Sequence, residues 1–391
     1  MTLNCILHTM MDKHLHVVAH DVPLPSDSGI LKELGFLTRA LHAEGILLHL
    51  HCFGNNKPES LLPFCHEIHL YPKKQGHKGY TLNLPHAVSS RSDTSLVKRL
   101  EADRFPILFA GLKSVSPLLD TTLSKERKIV IRMLRDEQRH FQDLSSLCSW
   151  GSQKLFYAIE SIRFGGLMNK LFSGSIQFAV SPAYKAIQSR SLGAYEVVDQ
   201  LIEMPFLMPQ SGTGSFCLYH GNLGKTEHAY AANWLLQNVF NTLEVPFVVA
   251  GDNPSEQLEE AAHEKMHTCL VSNPSEKELQ DLIKKAQVNL LPSFVEQCNT
   301  GLLYQSLALG RHVLTNTKGA SGLGVDSTCH IAGSDAEFIL MTETLFNQPF
   351  DAVNKPILSQ NRILFGILVA IMAIMAIRAI RAIRAIREIR A

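Results

Sequence analysis

The chain has 391 residues, 46% of them hydrophobic, which is enough to bury more than one core and predicts two domains. Net charge is +1, and the last fourteen residues alone hold five Arg and one Glu, so the body is slightly acidic. That argues against a nucleic-acid-binding protein, which carries a basic footprint. Eight scattered cysteines without a CxxC pair suit reduced thiols and a cytoplasmic setting rather than a disulfide framework. The N-terminal MTLNCILHTMMDKHLH lacks the charged lead and apolar core of a signal peptide.

In chain order, His14–Val22 (HLHVVAHDV) predicts a strand, and residues 23–29 (PLPSDSG) predict a loop. Ile30–Ala43 then predicts an amphipathic helix with Leu31, Leu34, Leu37 and Leu41 on related faces. Further strands are expected at Ile46–Phe53, Glu67–Tyr71, Pro106–Gly111, Lys128–Met133 and Phe178–Ser181, with a helical stretch from Glu137 to Lys170. These six strands and their helices fit one doubly wound domain, residues 1–201. A Pro/Gly/Ser-rich linker around 202–214 opens a second, residues 202–358. In it Phe216–Gly221, Phe247–Gly251, Val288–Ser293 and Val313–Asn316 alternate with helix-period segments, the pattern of a parallel sheet whose ligand crevice lies at the strand ends.

Residues 359–391 form a third segment. Ile363–Ile377 is an apolar run of fifteen residues, short of the ~20 that span a bilayer. The Ala-Ile-Arg triplets after it keep no constant apolar face at ~100° per residue. A helix packed back on the first domain, a membrane-surface anchor and a non-native extension are the three readings of this tail.

Two loops have the make-up of phosphate cradles. The loop ending at Gly29 offers backbone N–H groups and a helix N-terminus, although Asp27 or Ser28 would also serve as an ordinary N-cap. The second, YHGNLGKTE, has Gly221 and Gly224 for close backbone approach, Asn222 as a donor and Lys225 as a cation. The alternative for it is a plain strand–helix turn. A third segment, Pro292–Gly310, carries Glu296, Gln297 and Gln305, with Gln305 expected at the start of a helix. His14/His16 and His49/His51 alternate along strands, so each pair shares a face. Neither Cys65–His66–His69 nor His263–His267–Cys269 makes a four-ligand set of known zinc spacing, so no metal is expected.

The order HVVAHDVP, LHLHCF, ILFAGL, KIVIRM, AVSPA, LYHGNL, FVVAGDNPS, LPSF, GRHVLTN resembles the GT-B glycosyltransferases of family 4, or group 1, over about residues 14–345. It is similar to bacterial surface-polysaccharide members of mannosyltransferase type, which also read HGNL. The resemblance implies two tandem Rossmann-like α/β domains with a cleft between them and a C-terminal helix. It implies a hexosyltransferase that moves a hexose from a nucleotide diphosphate sugar to a glycan or lipid-linked acceptor, with retention and without a metal or other cofactor. Gly29, Gly221, Asn222 and Lys225 match donor-binding positions. Counting back from Gly310 puts Gln297 and Gln305 where the family has two glutamates eight apart, and Glu296, one residue off, is the candidate catalytic carboxylate. An inactive nucleotide-sugar-binding module or partner subunit of the same fold is the alternative, and an epimerase a weaker one. The expected setting is cytoplasmic, with peripheral contact at the inner membrane face through the tail.

Overall fold

The computed structural model describes residues 14–23, 29–119, 123, 127–172, 176–181, 184–185, 195–198, 209–296, 298–321 and 328–352. The loop at 24–28, Gln297, the linker up to 208 and the tail helix at 359–391 lie outside the described residues. The described residues divide into two compact units; the first carries one sheet, and the second carries Arg139–Ile159 together with the other.

The first sheet has seven parallel strands: β1 (His14–Ala19), β2 (Leu47–Phe53), β3 (Glu67–Tyr71), β4 (Ile107–Ala110), β5 (Ile129–Met133), β6 (Gln177–Val180) and β7 (Tyr195–Val197). Their spatial order is β3-β2-β1-β4-β5-β6-β7. The order reverses between β1 and β4, the switch point of a doubly wound sheet. Helix α1 (Gly29–Ala43) covers one face: its Leu31, Leu34, Leu37 and Leu41 join Leu15, Val17, Leu48 and Leu50 in one core cluster. A short helix, α2 (Thr94–Glu101), is capped by Asp93, whose carboxylate accepts the N–H of Ser95 and Leu96. The expected helical stretch is two helices, α3 (Glu137–Leu147) and α4 (Ser152–Phe172).

Strand alternation sends His14, His16, His49 and His51 to the sheet's other face, as their spacing predicts. The register sets His16 beside His49, and His51 beside His69. Two hydrogen-bonded chains result. His16 Nδ1 lies 2.8 Å from His51 Nε2, His51 Nδ1 lies 2.9 Å from the Tyr71 hydroxyl, and His16 Nε2 lies 3.0 Å from Asp103. With neutral rings the donors run from Tyr71 through His51 and His16 to Asp103. The second chain links His14, His49, Glu67 and His69. Burial alone would raise the Asp103 carboxyl, but hydrogen bonds from His16 and the Phe105 N–H pull it below the usual range. The histidines of this face are thus satisfied core groups.

The second sheet has six parallel strands: β8 (Cys217–Asn222), β9 (Phe247–Asp252), β10 (Thr268–Ser272), β11 (Val288–Leu290), β12 (His312–Asn316) and β13 (His330–Ala332). Their order, β10-β9-β8-β11-β12-β13, repeats the same winding, with its switch point between β8 and β11. Helices α5 (Thr226–Trp234), α6 (Glu256–His263), α7 (Glu276–Lys285), α8 (Thr300–Leu309) and α9 (Asp335–Asn347) connect them. The motif Asn-Pro-Ser-Glu occurs after both β9 and β10. Asn253 and Asn273 each take φ of 52°, and Ser255 and Ser275 each cap the following helix. The repeated tetrapeptide therefore codes one strand-to-helix turn twice.

Three buried histidines stay neutral in the fold. Burial holds His51 down to about 2, aided by the neighbouring His16, His69 and His49. Burial holds His20 to about 3, with Lys113 and Arg91 adding to it, and His220 to about 3, with His228 adding. Once unfolded, each ring would take up a proton near 6.5. The unfolded chain then binds more protons below that pH, so this stability is complete above about pH 6.5 and is lost as pH falls toward 2–3. The thermal midpoint is expected to be flat from pH 8 to 7 and to fall below 6.5, as each ring removes up to about 1.4 kcal/mol of unfolding free energy per pH unit. A midpoint unchanged down to pH 5 would mean that the rings are already charged in the folded chain.

Candidate functional site

The carboxyl ends of β8, β9, β11 and β12 bring together the loops singled out in the second half of the sequence. Gly221 and Gly251 face each other across β8 and β9, and a Cβ on Gly251 would lie 1.8 Å from the Gly221 carbonyl oxygen. Only glycine permits that approach. Beyond it the chain turns tightly. The Gly224 N–H donates to the Asp252 carbonyl at 3.1 Å and to Asn222 Oδ1 at 3.2 Å, and the Lys225 N–H donates to the Asn222 carbonyl at 3.0 Å. Asn222 thus spends one side-chain lone pair on shaping its own turn.

Lys225 is the residue before α5, and neither its side chain nor any other caps that helix from the N-cap position. The N-cap residue of α8, Asn299, also makes no side-chain cap; its amide donates instead to the Pro292 carbonyl at 3.1 Å. By contrast, α6, α7 and α9 in the same unit are each capped by a serine. The two helices without such caps follow β8 and β11, the strands on either side of the switch point. Their free N–H groups and dipoles favour an anion there. The Lys225 ammonium is half-buried and makes no ion pair among the described residues.

The loop after β11 is anchored on both sides. The Ser293 N–H donates to Asn316 Oδ1 at 3.0 Å while the Asn316 amide returns a bond to the Ser293 carbonyl at 2.9 Å. Glu296 sits in this loop, largely buried. Its Oε1 pairs with Arg139 at 3.1 Å, its N–H donates to Asp143 at 3.1 Å, and Asp143 in turn pairs with Lys318 at 3.1 Å. Glu296 Oε2 is buried without a hydrogen-bond partner among the described residues. Such an oxygen is a costly acceptor to leave unmet, so it suits a ligand hydroxyl. Arg139, Asp143 and Lys318 were not among the residues read from the sequence as candidates. Asp143 is 153 residues from Glu296 in the chain, which leaves no local signal for the pairing.

Gln305 is the sixth residue of α8, half-buried, rather than at the start of a helix as its position in the sequence suggested. Gln297 lies outside the described residues. Gly29 is the first residue of α1 in the other unit, so the candidate residues divide between the two units. His220, next to the site in sequence, is spent on the core: its Nε2 lies 2.8 Å from Ser306 Oγ on α8.

No protein-family model matches the chain, and no curated protein is similar to it in sequence. Its likeness to known proteins is structural. HepE of Anabaena, solved with UDP and glucose, shares 10% identity over 94% of this chain and 95% of that chain, with a TM-score of 0.56. TarM shares 8% over 93% and 99%, with a TM-score of 0.62. WaaB, a lipopolysaccharide outer core galactosyltransferase in its apo form, shares 10% over 91% and 95%, with a TM-score of 0.52. At such identities the likeness speaks for the fold, and the fold is α/β of the GT-B type, as the order of strands predicts.

Two outcomes test this geometry. Gly251→Ala is expected to destabilise the second unit by the upper end of ~1–3 kcal/mol, because a backbone carbonyl cannot rotate out of the way. Gly301→Ala, on α8 with nothing within 4 Å of the new Cβ, should instead stabilise by about 0.5–1 kcal/mol in the same denaturant titration. Lys225→Ala should leave the melting temperature unchanged and weaken nucleoside diphosphate binding by ~1.5–3 kcal/mol in calorimetry. An unchanged dissociation constant would remove Lys225 from the site.

Proposed function

We propose that the chain is a glycosyltransferase that moves a hexose from a nucleotide diphosphate sugar to a hydroxyl of a glycan or lipid-linked acceptor, with retention at the anomeric carbon. The observation that carries this reading is the pairing, at one switch point, of the uncapped start of α5 beside Lys225 with the buried, half-satisfied carboxylate of Glu296. The GT-B fold supports it, as does the UDP-glucose bound in HepE, a protein of the same fold.

In this mechanism the diphosphate lies against the N–H groups after Gly224, with Lys225 offsetting the charge that grows as the glycosidic bond breaks. Glu296 faces the sugar. Arg139 holds Oε1, which leaves Oε2 to accept a sugar hydroxyl or to oppose positive charge at the anomeric carbon. Gln305 reaches the ribose side from the middle of α8. Retention needs no separate general base, because the departing phosphate can take the acceptor proton on the same face.

A second reading is a binding module that holds a nucleotide sugar without turning it over. What favours it is Gln305, together with Gln297, at positions where the resemblance implies glutamates, since an amide cannot oppose a cation as a carboxylate does.

Glu296→Gln separates the two. If Glu296 acts in the transition state, the substitution should lower kcat at least 100-fold and move nucleotide affinity little, as expected for an interaction realised only at the barrier. Donor hydrolysis and transfer assays measure the first, and thermal shifts with UDP, GDP and their sugars measure the second. Tight binding with no turnover by the unaltered chain would establish the binding module. Failure to bind any of these ligands would leave the fold without this function.

A further inference from the structure

We propose that residues 72–84, with the exposed side of residues 160–170 of α4 beside them, form a docking surface for an anionic lipid bilayer. Residues 72–84 and 160–170 both belong to the first unit, whereas Lys225 and Glu296 belong to the second, and the proposal does not depend on the sugar-nucleotide reading.

Residues 72–84 (PKKQGHKGYTLNL) hold three lysines and no acid, and they run almost continuously exposed from Pro72 to Asn83. Leu82 is 89% exposed and Tyr80 49%. Lys73 is tied to Asp21 at 2.6 Å, so Lys74 and Lys78 are the outward charges. Glu160 fixes α4 next to this segment: Oε1 accepts the His86 N–H at 2.9 Å, and the His86 ring stacks on Tyr80 at 4.2 Å between centroids. From Glu160 onward, α4 adds Ile162, 74% exposed, with Arg163 and the exposed Lys170.

The single acid of the two segments is Glu160, and it is buried, bonded to the His86 backbone and paired with Arg163 at 3.3 Å. The surface therefore offers apolar side chains and an interfacial tyrosine among Lys74, Lys78 and Lys170, with Asp93 near Lys74 as the neighbouring acid. An aqueous protein gains nothing from holding Leu82 and Ile162 in water. Acyl chains would take them up, and anionic headgroups would meet the lysines, the arrangement that peripheral membrane surfaces use. A protein partner would need acids matched one by one to Lys74, Lys78 and Lys170; a bilayer supplies them as a continuum.

The test uses the full chain, with vesicles of phosphatidylcholine alone or with 30% phosphatidylglycerol, read by sedimentation and by hydrogen exchange along the chain. Anionic vesicles should bind the protein, bind it less as salt rises, and protect amides in 74–84 and 160–166. Lys74→Ala with Lys78→Ala should weaken partitioning about 25-fold, near five-fold per lysine. Leu82→Asp with Ile162→Asp, both on exposed side chains, should abolish the local protection while the melting temperature holds. Vesicle binding without protection at 74–84 would assign attachment to another segment, the Ile/Ala/Arg tail included, and overturn the proposal. Equal protection by neutral vesicles, or protection that appears with protein concentration and no lipid, would overturn it too.

Discussion

The second unit depends on how closely β8 and β9 approach at their carboxyl ends. Gly221 and Gly251 let one backbone lie where a side chain would otherwise stand. That contact sets the level at which the chain leaves β8, and the 222–225 turn is bonded to Asp252 immediately beyond it. Any wider spacing would lift the start of α5 and the ammonium of Lys225 away from the position where β11 delivers its own loop. A packing constraint in the sheet thus becomes a positional constraint on the electrostatics above it. The tolerance is set by van der Waals contact, which is steep, rather than by charge, which is soft.

The loop bearing Glu296 is held by a different logic. Asn316 and Ser293 exchange two hydrogen bonds between the ends of neighbouring strands, and Arg139 and Asp143 grip the loop from α3. One oxygen of this carboxylate pairs with Arg139, and the other is buried without a hydrogen-bond partner among the described residues. Such asymmetry orients the group while leaving one acceptor for a ligand.

Central strands were legible in the amino-acid sequence because a parallel strand covered on both faces must be apolar nearly throughout. Glu67–Tyr71 was found to the residue, and the others to within three residues at each end. The strands that escaped, β7, β10 and β13, lie toward the sheet edges; β7 and β13 have three residues each, and β10 is mostly half-exposed. Without burial on both faces, nothing in TCLVS or HIA separates a strand from a loop. The candidate site was legible only where it is local. Gly221, Asn222 and Lys225 fall together because they are adjacent in the chain. Arg139 and Asp143 could not be inferred beside Glu296, because the fold and not the sequence brings α3 to that loop. Gln305 was misjudged by half a helix, since no capping side chain marks where α8 begins.

The winding of the first sheet also governs how the molecule comes into being. β1 lies between β2 and β4, yet β4 begins only at Ile107, 88 residues after β1 ends at Ala19. At roughly 5–20 residues per second on the ribosome, the Val17–Val18 edge waits about 4–18 s for its second neighbour. During that interval an apolar strand edge faces solvent with its hydrogen-bonding groups unmatched. β2 and β3 can add on the other side meanwhile, so the nascent sheet grows outward in one direction before it grows in the other. Such a chain folds slowly by topology alone, and its first hundred residues are the stretch most in need of a holding chaperone.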